Sequence, residues 1–225
     1  MQKFETRDFN EIKQRLSTLD TACVSDANKK LRIVDPEIRP IRSGLKLIGR
    51  AHTVSCYEDF LMVIKALKDA EEGEVIVIDS QGSKNALAGE MFPAEAIRKH
   101  LAGMVIDGAC RDTASIRRMD IPYYARSVNC RAGTTKNIFK TQISINCGGV
   151  IVNPGDILFG DDDGLIVATV DELSSIIEVA EEIQKKEDQL LKGISSGVSL
   201  LKMMNFDDHY GKLVNGESSD LKFFD

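Results

Sequence analysis

The chain has 225 residues, 43% apolar and 28% charged, which excludes a disordered polymer and is enough for one full hydrophobic core. Its net charge is −6, and its basic residues gather only in pairs such as Lys29-Lys30, Arg117-Arg118 and Lys185-Lys186, so nucleic acid is not the expected partner. The five cysteines, at 23, 56, 110, 130 and 147, are odd in number and lack Cys-x-x-Cys spacing; this indicates reduced thiols in a cytoplasmic protein, with neither a disulfide framework nor a zinc site.

The N-terminal segment MQKFETRDFNEIKQRL lacks the apolar stretch of a signal peptide, and nowhere does an apolar run reach membrane-spanning length, so no membrane partner is expected. Residues 9–31 predict helix broken near 18–21, because Ile12, Leu16, Leu19, Cys23 and Ala27 recur at helical spacing. Pro36 and Pro40 mark an extended connector. Residues 45–56 predict a strand with a bulge at Gly49, and 58–71 return to helical periodicity. Glu74-Val-Ile-Val-Ile-Asp79 is a continuous apolar run, the pattern of a strand buried on both faces. A loop over 80–85 and a helix over 86–100 follow. A second buried strand, 103–107, leads through 108–112 into a short helix ending near Met119. This alternation implies parallel strands with right-handed crossovers.

Beyond 121 the pattern changes to short strands at 121–125, 143–147, 150–152, 157–159 and 165–168, separated by Gly148-Gly149, Pro154-Gly155 and Asp163-Gly164. These predict antiparallel or mixed pairing. A long helix over 171–192 opens on the Thr169/Glu172 capping box and is expected to end at Gly193. Its stripe runs from Leu173 through Ile176, Ile177, Ala180 and Ile183 to Leu190, Leu191 and Ile194. With no linker or repeat, the expectation is a single α/β domain over 1–225, its core spanning about 9–203 and a polar tail over 204–225.

Ligands of parallel α/β sheets bind beyond the carboxyl ends of strands, and two loops, 80–92 and 108–112, leave such ends here. The second carries Asp107, Arg111 and Asp112. A guanidinium can grip a carboxylate by two prongs, and a neighbouring carboxylate can hold a hard cation. Two readings stand: a ligand site, or a helix start with Asp112 near the dipole. The first loop carries Gly89-Glu90-Met91-Phe92, where glycine would let backbone N–H groups approach an anion; a plain connector is the alternative. Asp161 to Gly164 lacks the later ligands of a calcium loop and reads as a tight turn. The three histidines, at 52, 100 and 209, have no metal-binding spacing, and Cys110 has no evident histidine partner.

Residues 73–116, GEVIVIDSQGSKNALAGEMFPAEAIRKHLAGMVIDGACRDTASI, resemble the family of RraA-like proteins and 4-hydroxy-4-methyl-2-oxoglutarate aldolases. The likeness continues through CGGVIVNPGDILFGDDDGLIV at 147–167 and includes Thr21-Ala-Cys-Val-Ser-Asp-Ala27. It implies a layered α-β-β-α sandwich akin to the phosphohistidine swivelling domain, assembled as a trimer or dimer of trimers. It also implies a divalent metal, Mg²⁺ or Mn²⁺, and cleavage of a small 2-oxo acid to pyruvate, with oxaloacetate decarboxylation feasible at the same site. By this resemblance Asp112 matches the metal ligand and Arg111 the substrate-binding arginine. Gly89, Glu90, Met91 and Phe92 match a substrate loop of Gly-Glu-Leu-Leu type, departing from it at the last two positions. A glutamate from the last helix of a neighbouring subunit, with Glu187 as candidate, would complete the site. Members of the same family act instead as non-catalytic regulators that bind a ribonuclease or helicase complex; there the arginine is followed by Gln, where this chain has Asp112. Some relatives carry a dimethylmenaquinone methyltransferase label, yet nothing in this sequence resembles a methyl-donor site.

Overall fold

The structure is a computed structural model that describes residues 2–224, with side chains from Phe9 onward. In chain order it contains α1 (Gln2–Leu16), α2 (Thr21–Ala27), β1 (Arg32–Ile33), β2 (Arg39–Pro40), β3 (Leu47–Ser55) and α3 (Leu61–Asp69). Then come β4 (Glu74–Asp79), β5 (Ala86–Ala88), α4 (Met91–Arg98), β6 (Gly103–Cys110), α5 (Thr113–Ile116) and β7 (Tyr123–Val128). The short strands β8 (Lys140–Thr141), β9 (Ile145–Cys147), β10 (Val150–Val152), β11 (Ile157–Gly160) and β12 (Leu165–Ala168) precede α6 (Val170–Ser195) and α7 (Phe206–Val214).

One mixed sheet has the order β1-β12-β11-β3-β4-β6-β7-β2. Its centre, β3-β4-β6-β7, is parallel, as the alternating strand and helix pattern predicts. β11 and β12 pair antiparallel beside it, and β9-β10 forms a separate hairpin. The continuous apolar runs of β4 and β6 are explained by burial on both faces. Ile76, Ile78, Met104 and Ile106 pack with Val63, Ala66 and Ala96 of α3 and α4. Val75, Val77 and Val105 pack on the other side against Ile145, Cys147 and Val152 of the hairpin.

Local expectations meet two kinds of outcome. The capping box forms as read: Thr169 N–H donates to Glu172 Oε2 at 2.6 Å, and Glu172 N–H donates to Thr169 Oγ1 at 3.1 Å. The Asp161 to Gly164 segment is the β11-β12 turn, closed by Asp161 N–H donating to Gly164 O at 3.1 Å. Gly49 makes no bulge, since β11 pairs in register across it; a Cβ there would meet Gly73 O at 2.6 Å, so the glycine serves close packing. Gly193 lies inside α6, and the helix is closed by Gly197 at φ +88°. Residues 86–88, read as the start of a helix, are strand β5.

The chain forms two compact units, Met1–Ile177 and Glu178–Asp225. The first holds the sheet and its cores. The second holds the rest of α6, a 3₁₀ turn over Leu200–Met203 and α7. The segment read as a polar tail therefore contains a helix, and it exposes Tyr210, Leu213, Val214 and Phe224. No helix among the described residues is long and apolar enough to cross a membrane.

Candidate functional site

β5 builds the site. It lies parallel to the last residues of β6, with Ala86 opposite Ala109 and Ala88 opposite Cys110. Arg111 N–H continues the ladder by donating to Ala88 O at 3.1 Å. The two chain segments leaving these strands, Gly89-Glu90 and Arg111-Asp112, are thereby fixed side by side.

Asp112 caps α5 in the left-handed region, φ +58° and ψ +33°. That conformation costs a non-glycine residue about 1 kcal/mol, less for Asp and Asn. It turns the carboxylate back toward the neighbouring segment, where Oδ2 accepts the Glu90 N–H at 3.2 Å and lies 3.5 Å from Arg111 Nε. A Cβ on residue 89 would overlap Asp112 Oδ2, so only glycine permits this approach. The Arg111 and Asp112 side chains are 44% and 40% exposed, so both can reach a ligand from solvent.

Both segments line a cavity of about 470 Å³ bounded by residues 86–92, Arg111, Asp112, Phe60 and Ala132. Six of the residues singled out by sequence, Gly89, Glu90, Met91, Phe92, Arg111 and Asp112, are thus brought together. Phe60 and Ala132 escaped sequence reading. Phe60 precedes α3 and meets Phe92 edge to face, with centroids 5.8 Å apart and planes at 61°. The available signal was an Asp-Phe pair just before an apolar helix, which predicts a helix start but no long-range partner.

Asp107 belongs elsewhere. Its Oδ1 accepts from Arg126 Nε at 2.5 Å and its Oδ2 from Gly148 N–H at 2.6 Å. It faces a second cleft of about 680 Å³, together with Asp79, its register partner on β4. Burial raises the Asp79 carboxyl, and the Asp107 charge adds to the shift against the Gln81 N–H. The two loops expected to share one crevice therefore divide: 80–84 with Asp107 and Gly108 line the larger cleft, 86–92 with Arg111 and Asp112 the smaller. The larger cleft sets Lys84 and Arg126 against Asp79 and Asp107, and the smaller sets Arg111 against Glu90 and Asp112; what separates them is how their guanidinium groups are engaged. Arg126 is engaged by Asp107, Asp35 and Glu37, whereas Arg111 shows one loose contact, to Asp112. An incoming carboxylate can therefore take a two-pronged grip from Arg111 that Arg126 already gives to Asp107, Asp35 and Glu37.

Cys110 and His52 are not among the described residues that line this cavity. Burial pushes the Cys110 thiol up to about 11, the opposite of an activated nucleophile. His52 is buried against Glu74 at 3.0 Å. Glu187 is an exposed residue of α6 in the C-terminal unit.

The sequence model of the RraA-like family (Aldolase/RraA) matches residues 21–167. A protein of Halalkalibacterium halodurans named "Putative 4-hydroxy-4-methyl-2-oxoglutarate aldolase" is 32% identical over 187 residues, covering 82% of this chain and 89% of that one. Among solved structures, an RNA-processing inhibitor RraA from Thermus thermophilis is 28% identical with a TM-score of 0.62, over 66% of this chain and 91% of the other. A Geobacillus kaustophilus structure described as an S-adenosylmethionine: 2-dimethylmenaquinone methyltransferase is 29% identical with a TM-score of 0.64, over 67% and 95%.

Proposed function

The chain belongs to the RraA-like family, and on that premise we propose that it is a divalent-metal-dependent lyase cleaving a 4-hydroxy-2-oxo acid to pyruvate. Oxaloacetate decarboxylation, which builds the same charge, is the side activity. The observation that carries this reading is the convergence of Arg111, the Asp112 carboxylate and the 89–92 segment on one cavity. The reading extends to a cytoplasmic trimer or dimer of trimers with the layering of the phosphohistidine swivelling domain. Glu187 of a second copy is its candidate for completing the cavity.

The donor set suits a hard cation. Asp112 and Glu90 offer carboxylate oxygens, and no thiol or imidazole stands among the described lining residues. Mg²⁺ and Mn²⁺ accept one or two carboxylates and keep several waters, and the space left by the missing side chain at Gly89 admits the Asp112 oxygen. Asp112 would hold the ion, which supplies Lewis-acid polarisation of the 2-oxo group.

The protein's own groups act on the pyruvyl end. Arg111 pairs with the substrate carboxylate and sets its orientation. In the first turn of α4 the Phe92 and Ala94 N–H groups already donate to Gly89 O and Glu90 O and Pro93 has none, which leaves the Met91 N–H to donate to the same oxygens. As the C3–C4 bond breaks, the C4 hydroxyl loses its proton and becomes a carbonyl, and its electron pair passes to the pyruvyl fragment. Arg111 offsets the negative charge that develops there, and C3 then takes up a proton. No Schiff base is required, so no lysine is needed.

The test is a coupled pyruvate-release assay over several 2-oxo acids, with and without Mg²⁺ or Mn²⁺, on the wild type and Asp112→Asn. Asparagine tolerates the left-handed backbone, so the variant removes charge without disturbing the turn. Release should require metal and vanish in Asp112→Asn. Full activity of that variant in the presence of a chelator would overturn the proposal. The rival reading, a regulator like the Thermus thermophilis inhibitor, predicts no turnover and capture of a ribonuclease or helicase complex unaffected by Asp112→Asn.

A further inference from the structure

We infer that the substrate bears one carboxylate, on the pyruvyl end, and an apolar alkyl or aryl substituent at C4. This rests on the lyase reading of the same cavity and specifies what it accepts.

The first observation is charge. Among the described residues lining the cavity, Arg111 is the only cation, while Glu90 and Asp112 are both acidic. One guanidinium serves one carboxylate bidentately. With Arg111 and the cation that Asp112 would hold both engaged by the pyruvyl end, a second carboxylate on C4 would find no further cationic side chain among the described lining residues and would meet the Glu90 carboxylate.

The second observation is the apolar part of the lining. Phe60, Met91 and Phe92 line the cavity with Ala132, while the Leu87 side chain is fully buried in the core behind them. Phe60 and Phe92 are fixed in an edge-to-face pair and are only half buried, so their remaining apolar surface is turned toward the space a substrate would fill. Both pack against the core under α3 and α4, which leaves them little freedom to swing aside. Ala86, Ala88 and Gly89 add no bulk. A C4 aryl or branched alkyl group would cover this apolar surface; a carboxylate would lose its hydration there without gaining a partner.

The experiment compares kcat/KM for metal-dependent pyruvate release from 4-hydroxy-2-oxo-4-phenylbutanoate and 4-hydroxy-2-oxohexanoate with that from 4-hydroxy-4-methyl-2-oxoglutarate and oxaloacetate. The two monocarboxylates should lead by about tenfold or more, the scale that pocket complementarity sets for one substituent. Met91→Lys, at a side chain 78% exposed and free of the core, adds a cation at the rim and should shift the ratio toward the dicarboxylates. Equal or faster turnover of the dicarboxylates by the wild type overturns the inference and leaves the lyase reading standing. Absence of pyruvate from every substrate overturns both.

Discussion

Asp112 owes its position to two local facts: a left-handed backbone and a missing side chain at residue 89. Gly89→Ala tests the second. No positive φ constrains Gly89, and the displaced Asp112 carboxylate is exposed enough to move, so thermal stability should stay near wild type. Metal-dependent kcat/KM should fall by about a hundredfold, because a shift of about 1 Å in a positioned group costs that much. A wild-type rate would mean that the carboxylate position is immaterial. The place of the Arg-Asp pair at the end of a parallel strand was legible in the sequence, but spacing alone left a helix start as an equal reading, and only the family resemblance gave the pair a role. The left-handed turn was not, since Asp takes that conformation without any spacing that marks it. Phe60 was illegible for another reason: its contact with Phe92 comes from α3 packing beside α4, which no local pattern encodes.

Among the elements, the long apolar strands and the capped helix could be read because burial on both faces and helix capping impose continuous signatures on neighbouring residues. β5 could not. Ala86-Leu87-Ala88 has strong helical propensity, and parallel pairing with the extension of β6 overrides it. The connection before α3 hides a similar long-range device. Asp59 is fully buried. It accepts from Leu61 N–H at 2.9 Å, Thr134 Oγ1 at 2.7 Å, Lys136 N–H at 2.6 Å and Asn137 N–H at 3.0 Å. Burial alone would raise its pKa, but these hydrogen bonds outweigh it and bring the carboxyl down to about 2. A carboxyl lowered in the folded state stabilises fully above its unfolded value, near 4, and the contribution disappears as pH falls from there toward 2. Asp59→Asn turns an amide donor toward N–H groups and should cost about 3 kcal/mol at neutral pH. Thermal melts of both proteins against pH should show a large gap at pH 7 that narrows below about 4. A gap independent of pH would remove the carboxylate's ionisation from the explanation. Because Phe60 follows Asp59 and donates its N–H to Thr134 O at 2.8 Å, the variant should also loosen the aromatic wall of the cavity.

On the scale of the whole molecule, composition signalled enough apolar residues for a core but not where the core stops. The apolar stripe of α6 continues past Ala180 in sequence, yet its burial does not: Leu173, Ile177 and Ala180 are buried, whereas Leu191 and Ile194 are exposed. From residue 181 to 224 no described residue is buried, although this stretch includes Leu201, Phe206, Leu213, Val214 and Phe223. Periodicity reports that a helix has an apolar face; it cannot report whether anything covers that face. The physical consequence is a gradient of local stability. Backbone amides of β4 and β6 sit among residues with no solvent exposure, such as Val75, Ile76, Val105 and Ile106, and can exchange with solvent only when the sheet itself opens. Amides of α7 and the 3₁₀ turn are held by hydrogen bonds that no core shields, so local opening should suffice. Hydrogen–deuterium exchange at neutral pH should therefore label 196–224 within seconds to minutes while β4 and β6 stay protected for hours, a separation of about a hundredfold or more in rate. Limited proteolysis should cut in the same segment first and leave the sheet unit intact. Protection of α7 equal to that of β4 would show instead that its exposed apolar face is covered in solution.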